Sequence, residues 1–173
     1  DSGDNWVQKS WGLMDTDISS LLIIGNNIFA GTAYGYVFFS TNNGDSWTGN
    51  KPGISSSVSS LAISGNNIIA GTAFMGVYLS TDNGNSWVAK NSGLTDSTVW
   101  SMVVSGNNIF AGTSSGVFLS TDNGNNWTQK SSGLTNNLIW SLVISGNNLI
   151  AGTDSAGVFL STDNGENWVQ KNS

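Results

Sequence analysis

Hydrophobic and polar residues alternate in short runs along this chain, and clusters of Gly, Asn and Ser separate the runs. A period of two, in short segments bounded by turn residues, predicts β-strands joined by tight turns, and no stretch carries the period of a helix. In one stretch, Val99 to Val104 reads as a strand A, Ile109 to Thr113 as B, Gly116 to Ser120 as C and Trp127 to Lys130 as D. Ser105-Gly106-Asn107-Asn108 turns between A and B. Asp122-Asn123-Gly124 suits a tight hairpin between C and D, because Gly accepts a positive φ and an Asp side chain bonds backbone amides two residues on.

The unit recurs. The pattern Ser-Thr-Asp-Asn-Gly-x-x-Trp of Ser80-Thr81-Asp82-Asn83-Gly84-Asn85-Ser86-Trp87 returns as Ser120 to Trp127, as Ser161 to Trp168 and, with Asn42 for Asp, as Ser40 to Trp47. A remnant, Asp1-Ser2-Gly3-Asp4-Asn5-Trp6, stands before them, and Trp6, Trp47, Trp87, Trp127 and Trp168 are 41, 40, 40 and 41 residues apart. Four-stranded units of this length, each unable to bury its faces alone, build a β-propeller. The predicted fold is therefore all-β, a single propeller over residues 1–173 with blades at about 11–50, 51–90, 91–130 and 131–173. Within it, Asp82, Gly84, Trp87, Asp122, Gly124, Trp127, Asp163, Gly165, Trp168, Trp47 and Trp6 read as scaffold, each indole buried beneath its turn with an N–H that needs an acceptor.

Complete strand sets start near Ile18, Val58, Val99 and Ile139, which leaves one additional D strand, Trp6 to Ser10, within residues 1–10. Of the seventeen strands so predicted, Trp6 to Ser10 and Trp168 to Lys171 compete for one outer edge. A closed four-bladed ring with a spare strand, an arc that joins another copy, and a piece of a longer propeller all fit this count. An unpaired edge is a template for exchange between subunits, and the expectation is self-association as a homo-oligomer or fibre.

Ser-x-Asp-x-Gly-x-x-Trp, as in Ser80 to Trp87, resembles the Asp-box (BNR) repeat, whose motif lies on the turn between the third and fourth strands of a propeller blade. The resemblance covers essentially the whole chain and implies fold more than activity, because such propellers include sialidases, xyloglucan-type glucanases, sortilin-like receptors and photosystem assembly factors.

Composition then removes most chemistry. The 173 residues carry a net charge of −6, and the basic residues are Lys9, Lys51, Lys90, Lys130 and Lys171, with no Arg, His or Cys. Isolated lysines on an acidic chain make no phosphate-binding footprint, so nucleic acid is not an expected partner. No apolar run is long enough to span a bilayer. A sialidase needs a guanidinium fork for the substrate carboxylate, and a Ser- or Cys-based nucleophile with a histidine base cannot be assembled. A glucanase needs two carboxyl groups flanking the scissile bond, for which only Asp15, Asp17, Asp96 and Asp154 stand outside the motif turns. The Asp82-Asn83-Gly84-Asn85 loop lacks the spacing and closing acid of an EF-hand, so neither metal nor cofactor is expected. Asn126-Trp127-Thr128 is a glycosylation sequon that overlaps a motif whose Trp should be buried.

A binding surface is expected where the repeats differ. A–B and C–D turns share one end of a propeller, and Gly-Asn-Asn recurs in the former at 25–27, 65–67, 106–108 and 146–148. Length changes fall at the other end, in the D–A loop near Pro52 and the B–C loop at Ser114-Ser115. Trp11, Asp15, Asp17, Tyr34, Tyr36, Phe74, Met75, Asp96 and Asp154 belong to that end, while Trp100 and Trp140, where other units have Ser19 and Ser59, start the innermost strands. Rings beside acids suit a glycan or a peptide, since flat rings stack on sugars and carboxylates accept hydroxyl hydrogen bonds. The expectation is a non-catalytic, extracellular or periplasmic structural or interaction module; the alternatives are a glycan- or peptide-binding receptor module and a piece of a glycoside hydrolase.

Overall fold

The computed structural model describes residues 3–50 and 53–172, so the short loop expected near Pro52 lies outside the described residues. Four antiparallel sheets of four strands follow one another along the chain. Blade 1 holds β1 (Ile18–Ile24), β2 (Asn27–Thr32), β3 (Val37–Ser40) and β4 (Thr48–Asn50). Blade 2 holds β5 (Val58–Ser64), β6 (Asn67–Thr72), β7 (Val77–Ser80) and β8 (Val88–Ala89). Blade 3 holds β9 (Val99–Ser105), β10 (Asn108–Thr113), β11 (Gly116–Ser120) and β12 (Thr128–Gln129). Blade 4 holds β13 (Ile139–Ser145), β14 (Asn148–Thr153), β15 (Val158–Ser161) and β16 (Val169–Gln170). The first strands are innermost, since β1 lies against β5, β5 against β9 and β9 against β13.

Every C–D turn is built alike. Asn83 and Gly84 both have positive φ, 58° and 85°, as a type I′ hairpin requires. Ser80 Oγ donates to Asp82 Oδ1 at 2.8 Å and accepts from the Gly84 amide at 2.8 Å, while Asp82 Oδ1 accepts from the Ser86 amide. Asn42 reproduces this in blade 1, its Oδ1 accepting from the Ser46 amide at 3.0 Å and its Nδ2 donating to Ser46 Oγ. In the sequon, Asn126 Nδ2 is already committed to Asp122 Oδ2 at 2.8 Å.

The core lies between blades. Phe29 and Val37 of blade 1 bury against Val58 and Leu61 of blade 2, Ile69 and Val77 against Val99 and Met102, and Phe110 and Val117 against Ile139 and Leu142. Burying each such side chain stabilises the fold by about 1.5–3 kcal/mol. Polar bonds repeat at the same junctions, where Ser20, Ser60 and Ser101 hydroxyls accept from the amides of Leu61, Met102 and Leu142 at 2.8, 3.0 and 3.0 Å. Gly31, Gly71 and Gly112 allow this approach, because a Cβ there would lie within 2.6, 2.6 and 2.7 Å of Val58, Val99 and Ile139.

Trp127 and Trp168 are buried, whereas Trp47 and Trp87 are only half-buried. The indoles of Trp47, Trp127 and Trp168 each donate at 2.8 Å to the carbonyl of a lysine that precedes the blade, Lys9, Lys90 or Lys130. Trp87 instead donates to Gly84 in its own turn at 3.1 Å.

One expectation needs correction. Residues 6–10 join no sheet, and the strands number sixteen among the described residues rather than seventeen. A strand exists through its partner, and among the described residues none pairs with Trp6 and Val7, which stay exposed. The segment is nonetheless seated: besides the Lys9 carbonyl, the Trp11 carbonyl accepts from the Trp47 amide at 3.0 Å, and Lys9 pairs with Asp45.

The arc has two open faces. β13 and β1 do not pack on each other as successive inner strands do. Leu21 is 64% exposed where its equivalents Leu61, Met102 and Leu142 are 7, 5 and 7% exposed. At the far end Val158 is 43% exposed, against 3, 0 and 0% for Val37, Val77 and Val117.

Candidate binding face

D–A and B–C loops of each blade are tied by one backbone bond, from Ala33 to Asp17, Ala73 to Ser57, Ser114 to Thr98 and Asp154 to Leu138. The loops are thereby held at one end of the arc, as expected from the repeat. Trp11, Tyr34, Phe74 and Met75 hold their side chains in solvent. Tyr34 and Phe74 occupy equivalent positions, two residues past Thr32 and Thr72, and so form a row from blade 1 to blade 2. Tyr36 turns inward and stacks on Phe38 with ring centroids 5.6 Å apart.

The acids are not gathered. Asp15 is buried and its Oδ1 accepts from the Asp17 amide at 3.1 Å; Asp96 Oδ1 accepts from Thr98 at 2.9 Å. These are turn-building bonds of Asx type. Each carboxylate keeps a second oxygen, Oδ2, that is buried without a hydrogen-bond partner. Asn136, at the same place in blade 4, resolves this by donating Nδ2 to Ser155 Oγ at 2.8 Å. Asp17 is exposed, and Asp154 accepts the Trp140 indole N–H at 3.0 Å. Among the described residues, no group of three or more acidic side chains is placed to hold a metal ion.

Trp100 and Trp140 sit at the bulge where each inner strand slips by one residue against its neighbour, as do Ser19 and Ser59. Bulges re-aim a side chain. The two serines bond to Val58 and Val99 carbonyls of the following blade, whereas the two indoles meet across blades 3 and 4 with centroids 4.7 Å apart and planes at 47°. The Trp140–Asp154 pair escaped sequence reasoning because Trp140 lies in β13 and Asp154 in the loop after β14. At the opposite end, a cleft of about 250 Å³ between blades 3 and 4 is lined by Phe110, Asn148, Leu149 and Thr162 among others.

The motif acids are set for structure. Ser86 holds the Asp82 carboxyl, and Asn126 that of Asp122, below the usual carboxylate range, and donation from Asn167 pulls Asp163 down to about 2. A carboxyl so stabilised as an anion is a poor general acid.

The sequence matches no family model and no curated protein. In fold it is similar to the computationally designed Ika4 protein, at a TM-score of 0.70 and 15% identity over 87% of this chain and 92% of that one. An ancestral GH74 enzyme matches at 0.71 and 25% identity, covering 89% of this chain but only 24% of the enzyme. YCF48 from Cyanidioschyzon merolae matches at 0.70 and 17% identity, over 90% of this chain and 56% of that one; YCF48 bound to D1 peptide matches at 0.67 and 17%, over 98% and 58%. The chain thus spans a quarter to somewhat over half of these natural and ancestral proteins. With four sheets of four antiparallel strands and these neighbours, the chain has the β-propeller fold.

Proposed function

We propose that this chain is a non-catalytic interaction module of the Asp-box type, exported from the cytoplasm, that associates with a second copy of itself through the two open faces of its arc. The exposure of Leu21 and Val158, whose counterparts at every internal junction are buried, carries the proposal. The two faces are halves of one interface already made three times inside the chain. Ile18 stands where Val58, Val99 and Ile139 fill the space above Gly31, Gly71 and Gly112, and Gly152 meets no following blade. Such a heterologous contact closes into a ring or runs on as a fibre. Light scattering after size separation tests it: a dimer or larger species is expected, Leu21→Lys should reduce it to monomer without loss of folding, and a monomeric wild-type chain would overturn the proposal.

A second reading is favoured by the solvent-facing rings of Tyr34 and Phe74 on equivalent B–C loops, with Trp11 exposed as well, which suit an extended peptide or a glycan. That YCF48 has been solved bound to D1 peptide gives a precedent on this fold. The scattered acids and the ionised motif carboxyls weigh against a glycoside hydrolase.

A further inference from the structure

We infer that association proceeds by strand exchange, in which residues 3–10 of one copy take the place of residues 165–172 on blade 4 of the other. The inference rests on the self-association just proposed and adds to it which strand fills the outer seat.

The two segments are interchangeable in sequence. Gly3-Asp4-Asn5-Trp6-Val7-Gln8-Lys9 repeats Gly165-Glu166-Asn167-Trp168-Val169-Gln170-Lys171 with Asp4 for Glu166 as the one change, and no other blade repeats Trp-Val-Gln-Lys. They also share local shape. Gly3 has φ 94° and Gly165 φ 84°, and the Trp6 and Trp168 rings lie 3.6 and 3.7 Å from where a Cβ on those glycines would be. Residues 3–6 therefore share the glycine conformation and ring position of residues 165–168, with Trp6 90% exposed where Trp168 is 4% exposed.

Docking forces a choice. At the junctions of blades 2 with 3 and 3 with 4 the indole of the later blade is capped by the preceding blade's lysine carbonyl, yet on blade 1 that cap is already Lys9 of the same chain. If blade 4 of one copy packed on blade 1 of the next with β16 in place, Lys171 and Lys9 would contend for the Trp47 indole. Withdrawing residues 165–172 removes the conflict, and the incoming residues 3–10 remake the bonds they displace. Gln8 and Val7 would face Phe159 and Leu160, as Gln170 and Val169 do. The Trp6 indole would meet the Lys130 carbonyl, and Asp4 would take Lys130 Nζ from Glu166. Ser10 would accept from the Val158 amide in place of Asn172, as Ser131 does from Val117. Exchange is thus close to neutral strand for strand, and the burial of Leu21 drives it.

The chain has no cysteine, so a disulfide reports the pairing directly. Oxidising a Val7→Cys chain mixed with a Leu160→Cys chain should give a covalent heterodimer. Adding Trp6→Ala to the first chain should lower its yield about tenfold, the effect of an anchor worth about 1.4 kcal/mol. Absence of the heterodimer while the wild-type chain keeps a dimeric mass would overturn exchange and leave simple face-to-face docking; a monomeric mass would overturn both. A doubly substituted chain that links within itself would overturn the second copy as the donor.

Discussion

The indole of Trp127 donates to the carbonyl of Lys90 at 2.8 Å, so the tryptophan that opens the outer strand of one blade is fastened to the outer strand of the blade before it. The same lysine sends its Nζ to Asn125 Oδ1 at 2.6 Å. The motifs that end in Trp47, Trp127 and Trp168 are therefore both turns and couplings, and their loss should be felt at the junction.

Trp127→Phe keeps most of the buried ring and removes the bond, leaving the Lys90 carbonyl without its donor. A loss of about 1–2 kcal/mol is expected from urea unfolding. Trp6→Phe, at a site 90% exposed, should leave the midpoint of the monomer unchanged.

Steric contrast between two equivalent glycines checks the open face. A Cβ on Gly112 would come within 2.7 Å of Ile139 Cγ2, so Gly112→Ala should lose about 1–3 kcal/mol. At Gly152 the only close neighbour among the described residues is Ser141, whose hydroxyl can rotate, and Gly152→Val should leave the monomer's unfolding nearly intact while abolishing association.

Acid should weaken the fold through the motif carboxyls. Because hydrogen bonds depress the folded-state values of Asp82, Asp122 and Asp163, their contribution is present above the usual carboxylate value near 3.8 and is lost as pH falls toward about 2, the value for Asp163. Asp82→Asn copies the Asn42–Ser46 turn of blade 1, keeps the fold at neutral pH and should flatten the acid limb of stability followed by urea titration between pH 4 and 2.

Replacing Trp11, Tyr34 and Phe74 by Ala should leave thermal unfolding nearly unchanged, since these side chains face solvent and Trp11 holds Trp47 by its main-chain carbonyl. Loss of folding would move these rings into the core; binding to peptide or oligosaccharide arrays that the triple variant loses would place a ligand on this face.

Strand starts at Ile18, Val58, Val99 and Ile139 were legible because period-two runs and glycine turns are local signals. Outer strands shrank to pairs such as Thr128–Gln129, since they have one neighbour and exposed side chains. The segment from Trp6 to Ser10 carries the same pattern as Trp168 to Asn172, and only the missing partner separates them. Ser20, Ser60 and Ser101 recur visibly, but that each hydroxyl accepts a bond from the next blade depends on contacts some forty residues distant. Loop length and the repeat placed Tyr34 and Phe74 together on equivalent B–C loops, while the burial of Asp15 was not legible, because an Asx turn and a ligand acid look alike in sequence.

Since Ser20, Ser60 and Ser101 bind each blade only to the one after it, blade number is not written into any single junction. A coding sequence that gained or lost one unit of about forty codons would preserve every remaining junction and present the same pair of faces at its ends. Selection acting on such a chain can therefore adjust its span without redesigning its core, and the near-identity of the units leaves the encoding DNA open to unequal recombination in either direction.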